Sequence, residues 1–136
     1  MSGFDPAAAG WRVWAGGALD ELLGGFWSKR EGEGWAYGLL ATEAHRNRQG
    51  VVHGGVQMSF LDHCLGVTAW EAAGRSPVAT IQLNTNFVSA VKVGEFIEAR
   101  AEVVRAARSV VFMRGALTVE GRVAATADGV WKRIGL

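Results

Sequence analysis

The sequence predicts an α+β fold in which one antiparallel sheet wraps around a single long helix. Two observations carry this. Within 54–73 the residues Val56, Phe60, Leu61, Cys64, Leu65, Thr68 and Ala72 recur at intervals of three and four, the period of a helix packed on a sheet. From residue 77 onward the chain turns to strand-like runs separated by short breaks, with no alternation of strand and helix such as a parallel sheet needs. At 136 residues the chain has the length of one domain with one core. We expect that domain over 11–136, after a flexible tail at 1–10.

In chain order, Trp11, Trp14, Ala18 and Leu22 follow a helical spacing, so 11–22 is expected as a short helix closed by Gly24-Gly25. Gly16 and Gly17 weaken that expectation, at about 1 kcal/mol each relative to alanine. Runs at 26–31 and 35–42 flank Glu31-Gly32-Glu33-Gly34, a connection suited to a hairpin. Trp35, Tyr37, Leu39 and Ala41 alternate with neighbours that can face the other way, as one face on a core requires. A loop follows, then the long helix, stopped by Gly74 with Pro77 behind it. Strands are expected at 77–91, 95–106, 109–119 and 122–134, mostly as an antiparallel meander.

Composition excludes several classes of function. Hydrophobic residues make up 49% and charged residues 20%, so the bulk of the chain is not disordered. A formal charge of +1 without a basic run demands neither nucleic acid nor an anionic membrane as partner. Cys64 is alone and cannot form an internal disulfide. The N-terminus lacks a signal-peptide pattern, and no segment reaches the roughly 20 apolar residues of a membrane span. These point to a cytoplasmic protein.

The chemistry concentrates at His45-Arg46-Asn47-Arg48-Gln49-Gly50-Val51-Val52-His53-Gly54-Gly55 and the helix that follows. Gly54-Gly55 lets backbone approach a ligand closely, and the first N–H groups of a helix starting there have no intrahelical partner. With the macrodipole behind them they can polarise a substrate oxygen. Asp62 breaks the apolar run Met58–Gly66, where a core-facing helix has little reason to place a carboxylate; it is either solvated on the outer face or functional. Gly54 and Asp62 are eight residues apart, roughly 12 Å along one helix. An oxyanion donor and a base must both reach the reacting atoms. One helix therefore cannot supply both to one carbonyl, but two antiparallel copies related by a two-fold axis can.

The spacing of Asn47, His53-Gly54-Gly55 and Asp62, followed by a β-rich half, resembles the hotdog-fold acyl-CoA thioesterases of the phenylacetate-pathway (PaaI-like) family, from about Trp35 to the C-terminus. The resemblance implies hydrolysis of an aryl- or medium-chain acyl-CoA to free acid and CoA, without a cofactor. It implies active sites at a homodimer interface and self-association to a tetramer, with no nucleic-acid or membrane partner. By position, Gly54 N–H would hold the thioester oxygen, and Asp62 of the opposite subunit would act as general base on water or as the attacking carboxylate. Asn47 and His53 would bind or orient the thioester and water, and Thr80 would help position the water. Gly55 and Gln57 at the helix start and Arg108 before the third of the later strands would contact the substrate, Arg108 through the CoA phosphates.

Each of these residues also has a plain structural use. Asn47 can make a turn, His53 can satisfy loop backbone, and Thr80 is a β-branched residue at a strand start. His63, next to Asp62, points roughly 100° away around the helix and reads as structural. No metal site is expected, because Asp62, His63 and Cys64 are consecutive and fan out around the helix axis. The tryptophans at 11, 14, 27 and 35 could close over an acyl chain or serve as core. Two other functions fit the architecture: a non-catalytic acyl-CoA or small-ligand binder, and a hydratase or dehydratase, whose usual loop patterns are missing here.

Overall fold

The structure is a computed structural model and describes residues 3–14 and 17–135. Seven strands form one antiparallel sheet: β1 (Arg12–Trp14), β2 (Phe26–Glu31), β3 (Gly34–Leu40), β4 (Val78–Phe87), β5 (Phe96–Ala106), β6 (Val110–Val119) and β7 (Arg122–Arg133). Two α-helices are present among the described residues, α1 (Ala18–Leu22) and α2 (Gly54–Ala72), with a 3₁₀ turn at Glu43–His45. The spatial order is β1-β2-β3-β5-β6-β7-β4. β5, β6 and β7 form the expected meander, while β4, first in sequence after α2, lies at the far edge beside β7. The β2–β3 hairpin turns at Gly32-Glu33, with Glu31 opposite Gly34.

Alpha-helix α2 lies on the inner face of this sheet. Gln57, Phe60, Leu61, Cys64, Leu65 and Ala69 are its buried positions, so the core stripe runs one residue to the side of the expected Val56 and Thr68. The sheet answers with Tyr37, Leu39, Ile97, Ala99, Val111, Met113, Leu117 and Trp131. The outer face is wetter: Arg100 bridges Glu31 and Glu98, and Arg114 pairs with Glu102. A small second cluster of Trp11, Ala36 and Phe96 covers part of that face.

The expected helix over 11–22 is corrected. Residues Arg12–Trp14 pair with β2, and only Ala18–Leu22 is helical. The reason lies in the two tryptophans. Three positions apart, they would share a helix face, but on a strand they point to opposite sides of the sheet. Trp11 packs on Phe96 outside, while Trp14 stacks on Tyr37 inside at 4.6 Å. Residues 15–16, including Gly16, lie outside the described residues. Within the segment expected as a tail, Pro6 to Gly10 make a hydrogen-bonded turn and Phe4 contacts the Phe96 ring at 4.8 Å.

Tyr37 provides a test of this packing. Burial, with the neighbouring Cys64 thiol adding to it, pushes its hydroxyl up to about 12. The folded value lies above the ordinary one of about 10, so the neutral phenol stabilises the fold fully below pH 10. That contribution is lost as pH rises from 10 through 12, on the order of 2–3 kcal/mol at about 1.4 kcal/mol per unit. The chain has one tyrosine. Its tyrosinate absorbance should therefore titrate near 12 in the folded protein and near 10 in urea; equal midpoints would contradict the packing.

Candidate active site

His53 caps α2, with backbone φ −61° and ψ 136°, and its Nδ1 accepts from the Gly55 N–H at 2.8 Å. A ring nitrogen that accepts cannot carry a proton, so the outward Nε2 is the donor of this imidazole. Gly54 N–H has no acceptor among the described residues, because the first amides of a helix find none within it. The Phe87 ring packs beside it: a Cβ at Gly54 would lie 3.1 Å from Phe87 Cζ. Position 54 therefore offers a bare donor at the positive end of a 19-residue helix, walled on one side by an aromatic ring.

The loop before it is shaped by Asn47. Its Oδ1 accepts from Gln49 N–H at 2.9 Å and Val51 N–H at 3.2 Å, an Asx-type turn that leaves Nδ2 available. His45, buried, ties the loop to the rest of the fold: Nε2 donates to Leu23 O at 2.5 Å and Nδ1 accepts from Thr42 N–H at 3.0 Å. His45 was not anticipated from the sequence. The signal was the capping-box spacing of Thr42 and His45.

Two turns along α2, Asp62 faces the start of β4. Thr80 Oγ1 donates to Asp62 Oδ1 at 2.7 Å, so the carboxylate is held in one orientation and Oδ2 is left without a protein donor among the described residues. The Thr80 oxygen, having given its proton to Asp62, can still accept one from a water. Both residues line an open cleft of about 440 Å³ with Trp14, His63, Gly66, Val67, Trp70, Val78 and Trp131. Past Trp14, Val67 and Trp70 it meets a second groove of about 790 Å³, which reaches Tyr37, Arg30, Arg75 and the β2–β3 hairpin. A carboxylate next to a hydroxyl in an aromatic cleft can activate water beside an apolar group.

The structure thus brings together Asp62 with Thr80, and His53 with Gly54 and Gly55, as two separate groups on one helix. Gln57 is buried and its Oε1 has no hydrogen-bond partner. Arg108 lies exposed in the turn between β5 and β6, at the end of the sheet where Val110, Lys132 and Ala79 are aligned across β6, β7 and β4. It follows β5, which β6 and β7 separate from β4, and lies three residues before Val111, the β6 residue in register with Thr80 through Trp131 of β7. His63, read as structural, turns out to share the cleft wall with Asp62 and to face Asp20 of α1, with Nε2 3.6 Å from Oδ2. Asp20 is 3% exposed. Burial pushes its carboxyl up from the ordinary range, and His63 pulls it back. Neither partner announces the other in the sequence, since 43 positions separate them.

The described residues contain no cluster of three His, Cys, Asp or Glu side chains placed to hold a metal ion. No described helix is long and apolar enough to cross a membrane.

Comparison with known proteins gives consistent answers. The thioesterase superfamily profile matches residues 49–126, which include the capped helix start, Asp62 and Thr80. A Pseudomonas aeruginosa protein named putative esterase PA0474 is 28% identical over 115 residues, covering 83% of this chain and 86% of its own. The crystal structure of zebra fish thioesterase superfamily member 2 superposes with a TM-score of 0.77 at 24% identity, covering 87% of each chain. A hypothetical thioesterase protein from Streptococcus pneumoniae TIGR4, solved with coenzyme A, superposes with a TM-score of 0.71 at 18% identity, over 81% of this chain and 89% of that one.

Proposed function

For a chain that belongs to the thioesterase superfamily and has its hotdog fold, we propose the hydrolysis of an acyl-CoA thioester to the free acid and CoA, in the manner of the PaaI-like enzymes. The observation that carries this reading is the Thr80–Asp62 hydrogen bond of 2.7 Å inside the cleft. Asp62 has one oxygen held and one free. In the general-base form, a water proton passes to Asp62 as the water oxygen bonds to the thioester carbon. The C–S bond then breaks with its electron pair leaving on sulfur. In the alternative form Asp62 itself attacks the thioester carbon, CoA leaves as the thiolate, and water hydrolyses the resulting anhydride to the free acid and the regenerated carboxylate. Neither form requires a cofactor.

The oxyanion donor is Gly54 N–H, and it must come from a second copy, because Gly54 and Asp62 of one chain are held roughly 12 Å apart by the helical rise. The fold offers a seam for that copy. β4 is an edge strand with unpaired backbone groups on its outer side. Ile81, Phe87 and Val88 on and beside it are more than half exposed. An isologous pairing there completes two sites per dimer. Support for CoA as the carrier comes from the coenzyme A held by the Streptococcus pneumoniae neighbour. Arg108 would meet its phosphates, with Arg46, Arg48 and Lys92 as the alternatives.

The acyl group would occupy the cleft beyond Asp62. Indoles of Trp14, Trp70 and Trp131 with Val67 and Val78 offer flat apolar walls, which suit an aromatic ring or a medium-length chain. Thiol release from short, medium, long and aromatic acyl-CoAs tests this. Fastest turnover with an aryl- or medium-chain thioester is expected. No release from any of them would remove the hydrolytic reading and leave a ligand-binding one.

A further inference from the structure

The cleft holds one ionisable group that the hydrolysis just described does not use. His63 lies in its wall one residue from Asp62, and its imidazole is fixed from three sides. The Trp14 ring lies 4.7 Å from it, the Phe26 ring 5.3 Å, and the Asp20 carboxylate 3.6 Å. Asp20 Oδ2 is buried and accepts no hydrogen bond, and among the described residues His63 is the one basic side chain within 4 Å of it. A buried carboxylate with a single basic neighbour retains a proton between the two, because losing it leaves an uncompensated buried charge. The indole face of Trp14 is itself a favourable neighbour for a cation.

Asp62 has the opposite problem. An acyl group entering an aromatic cleft displaces water from around it, and desolvation favours the neutral acid, which can neither take a proton from water nor attack. A positive charge held in the same cleft wall opposes that neutralisation. We propose that Asp20 and His63 are a positioning pair for the reaction at Asp62: the buried carboxylate keeps a charged imidazole in the cleft wall, and that charge keeps Asp62 ionised once substrate has excluded water. This rests on the hydrolytic reading above. Among the described residues, the charged group that meets His63 is Asp20 on α1, which also feels Glu21 on α1 and Cys64 on α2, while Asp62 on α2 shares the cleft lining with His63. The residues it meets from β1 and β2, Trp14 and Phe26, are uncharged, and Tyr37 of β3 lies behind Trp14.

The test is the pH dependence of kcat and KM, from pH 5 to 9, with the acyl-CoA that the parent protein turns over fastest. His63→Gln removes the charge, and His63→Lys loses the ring but restores a cation opposite Asp20. We expect the acid limb of the kcat profile to move upward by roughly 0.5–1 pH unit in His63→Gln, a threefold to tenfold loss of kcat at low pH that recovers toward high pH, with KM within threefold. In His63→Lys the limb should stay near the parent's. Should His63→Gln fail to fold, the double variant Asp20→Asn/His63→Gln reads the same limb without an unpaired buried charge. Coincident limbs in parent and His63→Gln, or an equal displacement in His63→Lys, would overturn the pair while leaving hydrolysis intact. A parent that releases no thiol from any acyl-CoA removes the hydrolytic reading and this inference together.

Discussion

Asp62→Asn should lower kcat for thioester hydrolysis by about 10²–10⁴-fold, the usual contribution of a positioned general base, and leave KM within a few-fold. The substitution is chosen to keep the geometry. The asparagine carbonyl can still accept the Thr80 hydroxyl that now sits 2.7 Å from Asp62 Oδ1, so packing and stability should scarcely change. What is lost is the second oxygen's ability to take a proton or attack. Thr80→Val should cost less, roughly tenfold, because it frees the carboxylate to rotate without removing it. The measurement is steady-state thiol release beside a urea unfolding curve for each variant. An Asp62→Asn protein that folds normally and retains more than a tenth of the parent kcat would move the reacting carboxylate elsewhere in the cleft.

The sequence made some of this site visible and hid the rest for definable reasons. The capped start of α2 is local: His53, Gly54 and Gly55 are adjacent, and cap, bare donor and close approach all follow from neighbours in the chain. The strands from β4 onward were legible through their breaks, although the position of β4 beyond β7 is a matter of topology that no periodicity encodes. The error at the N-terminus came from a real ambiguity. Trp11 and Trp14 fit both a helix with one apolar face and a strand between two clusters, and tertiary packing chose the strand. Asp20 was invisible as a partner, since one of two adjacent acids on a five-residue helix looks solvated until α1 is laid over His63. Asn47 shows a different limit: its turn is present in the structure, yet a free Nδ2 leaves a contact with substrate compatible with the same residue.

A large stability effect is expected at Gly115, where a side chain of α2 and the backbone of β5 both close in on the same glycine. A Cβ built there would lie 2.8 Å from the carbonyl oxygen of Arg100 in the paired strand and 2.7 Å from Leu65 Cδ1 on α2. The two contacts differ in kind. Leu65 is a side chain, though fully buried, whereas the Arg100 oxygen belongs to the β5–β6 ladder and can yield only by bending the sheet. Gly115→Ala should therefore destabilise by about 1–3 kcal/mol or more, as overpacking does. Gly34→Ala is the control: its nearest neighbour would be 3.8 Å away, with no strained backbone conformation to adopt, so the change should stay within about 1 kcal/mol. Leu65→Ala and Gly115→Ala together should cost less than the sum of the two single changes, a coupling on the order of 1 kcal/mol in a double-mutant cycle. The same variant reports on the site. Asp62 is one turn before Leu65 on α2, and its contact with Thr80 depends on where the helix rests against the sheet. A helix lifted at Leu65 should then lower kcat more than it raises KM, whereas unchanged kcat in a folded Gly115→Ala protein would show that the sheet, not the helix, absorbs the added methyl.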